Sequence, residues 1–414
     1  MKVAVIGAGA AGMMAAGRCA ELSRLYGIDA EVYVFDKNDR PGKKLAITGK
    51  GRCNLTNNCD INTFLENIPR NPRFLYSSLN EFSPSDTIAF FEGEGVPLKT
   101  ERGRRVFPVS DKAHDIVSAL KAYCDKGGVR FVYSKVTGIK KINGTFVISL
   151  KDRQREFFDK VIIATGGCSY PLTGSDGDGY RFARSLGIKI TELSPSLVAL
   201  EVTESYVKEL MGLSLRNVSV SATDENGNLV HSEFGEMLFT HFGLSGPTIL
   251  SMSAHLPDIV PEKYRISIDL KPALDEKTLD KRIVSDLEKH KNKNIENALS
   301  ELLPSKMIPT FVRLSGIDPS RRANSITRTE RQKLLSLFKS LTFTVKCTRP
   351  IEEAIITKGG VDTSEISPRT MEAKNVSGLY FAGEIIDVDA YTGGYNLQIA
   401  FATARVAAKS VILS

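Results

Sequence analysis

Tryptophan is absent from the 414 residues, histidine occurs only 5 times, and the 6 cysteines (Cys19, Cys53, Cys59, Cys124, Cys168, Cys347) form no CxxC pair. No histidine stands at zinc spacing from any of them. A disulfide framework and a structural or catalytic metal are therefore not expected, and scattered free thiols suit a reducing, cytoplasmic setting. No apolar run approaches the about 18 residues of a membrane span, so no membrane partner is expected. Internal repeats, low-complexity tracts and long linkers are missing too, which excludes solenoids and disordered chains. Charge of one sign is not strongly in excess: 55 Lys+Arg stand against 48 Asp+Glu, a net +7. That surplus points weakly to an anionic partner such as a nucleotide, RNA or an acidic metabolite.

What is present is an ordinary globular composition, 42% apolar and 25% charged, at a length that suits two or three domains. The first twenty residues match the outline of a signal peptide, but their glycines are periodic and follow a β-branched run. Lys2–Ile6 reads as a buried parallel strand, and Gly7, Gly9 and Gly12 form GxGxxG ahead of a helical stretch from Met13 to Leu25. Gly7 permits the tight turn, Gly9 lets the backbone approach a pyrophosphate, and Gly12 allows close helix packing. The helix N-terminus offers free N–H groups to the anion. A second strand, Glu31–Phe35, ends at Asp36, whose carboxylate suits adenosine ribose hydroxyls and repels a 2′-phosphate. An NAD- or FAD-type nucleotide is expected, and NADP is not.

Two distant segments decide between NAD and FAD. Short strands around Val136–Ile139, Thr145–Leu150 and Arg155–Phe158, with a turn at Asn143-Gly144, lead into Lys160 to Gly167, KVIIATGG. That segment returns the chain to the nucleotide crevice. Near the C-terminus, Gly378 to Glu384 is a strand running into a glycine turn and an acid, and Thr392 to Gln398 (TGGYNLQ) opens an apolar helix. A second helix N-terminus suits the anionic edge of a reduced isoalloxazine, and FAD is long enough to use both helix ends. No second GxGxxG follows, so NAD(P)H, if it is the electron donor, visits transiently.

Longer strings carry a family resemblance: Gly42 to Asn57 (GKKLAITGKGRCNLTN), Arg104–Pro108 (RRVFP), Thr173–Gly179 (TGSDGDG), Leu238–Pro247 (LFTHFGLSGP) and Lys358–Val361 (KGGV). Nearly end to end, the chain resembles bacterial FAD flavoproteins that include aminoacetone oxidases and the bile-acid 3-dehydro-4,6-reductase, with a branch implicated in dihydrouridine formation in 23S ribosomal RNA. It departs from them at Lys50, where the family usually carries a third glycine. The resemblance implies an α/β fold: a Rossmann-like FAD-binding ββα domain (1–192 and 346–414), an inserted β-barrel-like domain (193–273 and 341–345) and a helical subdomain (274–340). The FAD-lining set it implies is Gly7, Gly9, Ala10, Ala11 and Gly12; Asp36 and Lys37; Lys44, Thr48, Gly49, Arg52, Cys53 and Asn54 of a flavin-covering loop; Val136; Ala164, Thr165 and Gly166; Gly383 and Glu384; and Gly394, Tyr395, Asn396 and Leu397.

The expected function is hydride transfer through the flavin, reducing an activated C=C bond or oxidising a small amine or carbonyl compound. Two alternatives stand beside it: a dihydrouridine synthase acting on 23S rRNA, and a non-catalytic flavin-binding regulator. The candidate catalytic residues are Cys53 as general acid, Lys50 (or Arg52) as a stabiliser of negative charge, and Tyr391 beside the last glycine turn. His241 is a further acid–base candidate, to be weighed against a role in tying down a turn. The arginines Arg102, Arg104 and Arg105, with Arg321, Arg322, Arg328, Arg331 and Lys333, read either as an RNA-phosphate surface or as solvated faces and internal clamps. The partner is a small molecule or 23S rRNA.

Overall fold

A computed structural model describes residues 1–152 and 154–414. It separates into two compact units, Met1–Ser196 with Ile351–Ser414, and Leu197–Pro350.

The first unit is built on a five-stranded parallel sheet in the order Leu379–Phe381, Lys160–Ile163, Lys2–Ile6, Glu31–Phe35, Arg130–Val132. Lys2–Ile6, Glu31–Phe35, Lys160–Ile163 and Leu379–Phe381 are mostly buried, as a parallel sheet covered on both faces requires, whereas Arg130–Val132 at the edge is half-buried to exposed. Register aligns their carboxyl ends: Ile6 pairs with Phe35 and with Ile163, and Ile163 pairs with Phe381. The residues that follow, Gly7, Asp36, Ala164 and Ala382, therefore leave the sheet along one edge, where open α/β folds bind ligands.

The helix after the first glycine turn, Ala10–Tyr26, packs against the C-terminal helix Tyr395–Leu413 and against Ala113–Lys126. Small residues allow this: a Cβ on Gly17 would stand 2.2 Å from the Tyr123 ring. An antiparallel sheet of Val136–Ile142, Thr145–Leu150 and Arg155–Phe158 lies between the third and fourth parallel strands in sequence. Its tight turn puts Asn143 and Gly144 at φ 50° and 87°, as the sequence predicts. A smaller antiparallel sheet joins Thr56–Asn57 to the hairpin Leu98–Glu101 and Arg105–Pro108.

The second unit contains a closed barrel of Leu200–Val202, Gly243–Ser245, Leu229–Phe239, Ser214–Thr223, Arg265–Asp269 and Leu341–Thr348. Helices Glu276–Lys289, Ile308–Ser315 and Arg328–Lys339 share one hydrophobic cluster with it. Thr327 and Glu330 close a reciprocal capping box at the start of the last of these. Among the described residues, no helix is long and apolar enough to cross a membrane.

Candidate functional site

The three glycines of the first turn do different work. A Cβ on Gly7 would stand 2.5 Å from the Ala164 carbonyl oxygen, and one on Gly12 would stand 1.8 Å from the Gly7 carbonyl oxygen. Gly9 instead faces open space, with nothing within 4 Å of the Cβ position. Two glycines thus seal the turn and one keeps a volume clear. The helix that begins at Ala10 has no side-chain cap and no acid in its first turn, which leaves its positive end to an external anion. The Gly7 turn meets the Ala164-Thr165-Gly166 segment directly, since the Ala164 N–H donates to the Ile6 carbonyl at 2.9 Å.

At the end of the second strand, Asp36 accepts from the Ala8 N–H at 2.7 Å and from the Asn38 N–H at 2.8 Å. The acid therefore ties down the glycine turn and keeps a second lone pair on each oxygen for a ribose. Lys37 is held by Asp176 and by Asp178 at 3.1 Å, so its charge is already matched. Arg181, Lys135 and Lys37 hold the Asp178 carboxyl well below the usual carboxylate range, against the opposing effect of burial. A groove of about 700 Å³ lies here, lined by Lys37, Asn38, Ser134, Lys135, Gly174 and Asp176 among others. Val136, next to it in sequence, is 6% exposed.

The flavin-covering segment of the sequence reading is knotted to the far end of the chain. Lys44 Nζ donates to Ser169 Oγ and to Glu384 Oε2, both at 2.6 Å. Glu384 Oε1 also accepts from Ser169 Oγ and from the Thr357 N–H, each at 3.0 Å. Thr48 Oγ1 donates to the Leu45 carbonyl at 2.7 Å. Asn57 Nδ2 bonds both the Gly103 and Gly393 carbonyls at 3.0 Å, and Thr56 Oγ1 donates to Gln398 Oε1 at 2.7 Å. A Cβ on Gly394 would stand 2.3 Å from the Thr56 carbonyl oxygen and 2.9 Å from Asn54 Oδ1. Asn54 Oδ1 is itself buried without a hydrogen-bond partner. An orphaned acceptor beside an uncapped helix start is what a missing hydrogen-bonding ligand leaves behind. Together with the cleared volume at Gly9 and the groove past Asp36, it shows that these residues fit FAD.

Several residues of the expected site have their side chains engaged within the protein. Cys53 is fully buried, and burial pushes its thiol up to about 12, opposed only by a hydrogen bond with Thr48. A thiol so enclosed packs as a space-filling side chain in this structure, and its burial does not favour the general-acid role expected of it. Arg52 is committed elsewhere: its guanidinium binds Glu101 and Asp111 and lies 4.2 Å over the Phe107 ring. It pins the loop to the hairpin and leaves no charge for a flavin. Tyr395 is 7% exposed with its ring edge-on to Phe64 at 4.9 Å, a packing role, and burial raises its hydroxyl to about 12. The Asn396 side chain donates to the Ala390 carbonyl at 2.7 Å and accepts from its N–H at 2.9 Å, closing the loop before the last helix. Leu397 and Tyr391 are half-buried, and the Tyr391 N–H donates to the Asn67 carbonyl at 3.1 Å. His241 is exposed in the second unit, where Thr240 Oγ1, not the histidine, closes the turn onto Gly243 at 3.0 Å. Arg321 pairs with Glu330 and Arg331 with Asp280, which makes these two internal clamps.

The sequence reading missed two buried acids between Glu384 and the last helix. Asp387 takes a two-pronged bond from Arg70 and its carbonyl accepts from Asn71 Nδ2 at 2.7 Å. Asp389, 2% exposed, accepts from Ser196 Oγ at 2.8 Å through Oδ2, while its Oδ1 has no partner. Burial pushes the Asp389 carboxyl above the usual range, with the Ser196 bond and the charges of Lys358 and Arg70 opposing. Because the folded-state value is raised, stability is complete below the unfolded value of about 4 and is lost as pH rises through the folded one. Asp389→Asn removes that titration, so its melting temperature is expected to fall less than that of the unsubstituted protein as pH rises from about 4. Equal slopes in a pH series of thermal melts would count against the neutral acid.

The family described as HI0933-like protein Rossmann domain matches residues 1–410. The chain belongs to this family. It is an FAD-dependent oxidoreductase of the HI0933-like type. Among characterised HI0933-like proteins, it is 31% identical over 414 residues to the 3-dehydro-bile acid delta(4,6)-reductase of Clostridium scindens, covering 99% of this chain and 98% of that one. It is 32% identical over 412 residues to the ribosomal RNA dihydrouridine synthase of Escherichia coli, covering 99% and 97%. The HI0933-like fold also resembles 3-ketosteroid delta1-dehydrogenase from Sterolibacterium denitrificans, with TM-score 0.52 and 12% identity over 99% of both chains.

Proposed function

We propose that this protein reduces a C=C bond conjugated to a carbonyl group, and that its substrate is the uracil C5=C6 bond in 23S ribosomal RNA. Both named activities among its relatives, a 3-dehydro delta(4,6) reduction and dihydrouridine formation, saturate such a bond. When bound, FAD supplies the hydride. The residues of the chain supply placement. The Gly7–Gly12 turn and the Ala10 helix start would hold the pyrophosphate, Asp36 the adenosine ribose, and Lys44 and Glu384 the ribityl stretch. Asn54 and the backbone from Gly394 to Leu397 would lie at the isoalloxazine. With Cys53 enclosed, Tyr391 is the remaining proton-donor candidate at the helix start. NAD(P)H would act as a transient donor, since the chain has no second GxGxxG.

The observation that carries RNA over a small neutral molecule is the turn at 102–105. Arg102, Arg104 and Lys50 are exposed and make no ion pair among the described residues, whereas neighbouring Arg52 and Lys99 occupy the local acids Glu101 and Asp111. An RNA substrate also places the enzyme in the cytoplasm. Deleting the gene and mapping dihydrouridine in 23S rRNA tests the reading: loss of the modification supports it, and an unchanged pattern contradicts it.

A further inference from the structure

We propose that Lys50 and Arg104 form a phosphate clamp that grips the RNA backbone; this rests on the rRNA reading above. Both residues hold a left-handed backbone, each at φ 58°. That conformation suits glycine and disfavours any residue with a Cβ. Each sits in a run of left-handed positions, Gly49, Lys50 and Gly51 in one loop and Gly103 and Arg104 in the other. Two separate loops thus place a long cation at a backbone position where glycine is easier, which points to the side chain as the reason.

The two loops are held together. Arg52, two residues beyond Lys50, stacks 4.2 Å over Phe107, and Arg105, next to Arg104, lies 5.9 Å from the centroid of the same ring. A Cβ on Gly49 would stand 3.6 Å from that ring as well. Asn57 ties the Gly103 carbonyl to the Gly393 carbonyl, so the arginine turn flanks the start of the last helix. Beside Arg104 lies a groove of about 710 Å³, lined by Asn58, Asn62, Ser83 and Ser85; its asparagines offer amide donors, while the Ser83 hydroxyl is engaged by Asp86 at 2.6 Å and by Ser85 at 2.8 Å. Its one acid, Asp60, is held in place by the Thr63 N–H and hydroxyl and keeps its negative charge, which Arg102, Arg104 and Arg105 outnumber. With Arg102 and Arg105 alongside, the unneutralised charges form a track that a polyanion occupies in full and a single carboxylate cannot.

The test uses the FAD-loaded protein with an unmodified 23S rRNA fragment, comparing the unsubstituted chain with Lys50→Gly, Arg104→Gly and the double variant. Affinity is measured across a KCl series, beside thermal melts and the bound-flavin spectrum. Each substitution is expected to lower the slope of log affinity against log salt by about 1. Melting temperatures are expected to hold or rise, because glycine takes the left-handed backbone freely. A steep slope in the unsubstituted protein that persists in the double variant overturns the clamp alone. A fall in melting temperature also overturns it, by making the cations structural. No RNA binding by the unsubstituted protein overturns the rRNA reading and the clamp with it.

Discussion

Gly9→Val is expected to give a folded, colourless protein. The backbone at Gly9, φ −82° and ψ −166°, is extended and open to any residue, and no atom lies within 4 Å of its Cβ position. Nothing in the protein itself resists the side chain. The volume it fills is the one that the glycine motif keeps clear for a pyrophosphate, so flavin affinity is expected to fall by more than about 100-fold, roughly 3 kcal/mol. Gly12→Ala separates the two uses of glycine, because its Cβ would collide with the Gly7 carbonyl oxygen at 1.8 Å. That variant is expected to lose the fold as well as the flavin. Flavin absorbance per protein and a circular dichroism melt, recorded on both, distinguish the cases. A yellow, fully loaded Gly9→Val protein would contradict the assignment of the turn.

The second large effect concerns Arg70. Its guanidinium is the two-pronged partner of Asp387, whose side chain is 3% exposed and whose backbone N–H donates to the Val361 carbonyl at 3.0 Å. Arg70→Met leaves that carboxylate buried and uncompensated, which is expected to destabilise the unit by about 3 kcal/mol. In a domain of this size that is a fall of roughly 6–12 °C in melting temperature. The segment affected joins Glu384 to Gly394, so flavin retention is expected to weaken with stability. Adding Asp387→Leu removes the orphaned charge, and the double variant is expected to recover much of the loss. Additive losses would show that the pair is not the source of the effect.

Where the apolar pattern is local, the sequence was readable almost residue by residue. Glu31–Phe35, Thr145–Leu150 and Arg155–Phe158 occupy the predicted strands, and the glycine spacing located the first turn. The strand Leu229–Phe239 was not anticipated, since most of its side chains are exposed or half-buried and polar residues interrupt its apolar ones. Side-chain roles failed where partners are distant. The commitment of Arg52 depends on Glu101 and Phe107 of the hairpin and on Asp111 just beyond it, and Arg70 lies 317 residues from Asp387. Nor does spacing disclose backbone conformation: Lys50 read as a substitution in a glycine-rich loop, and only the fold shows it at φ 58°.

The absorbance spectrum of the purified protein, with identification of the released cofactor and anaerobic addition of NADH and of NADPH, addresses the central claim most directly. The account predicts a yellow protein that releases FAD and bleaches when at least one nicotinamide is added. A colourless protein that does not take up added FAD would contradict it.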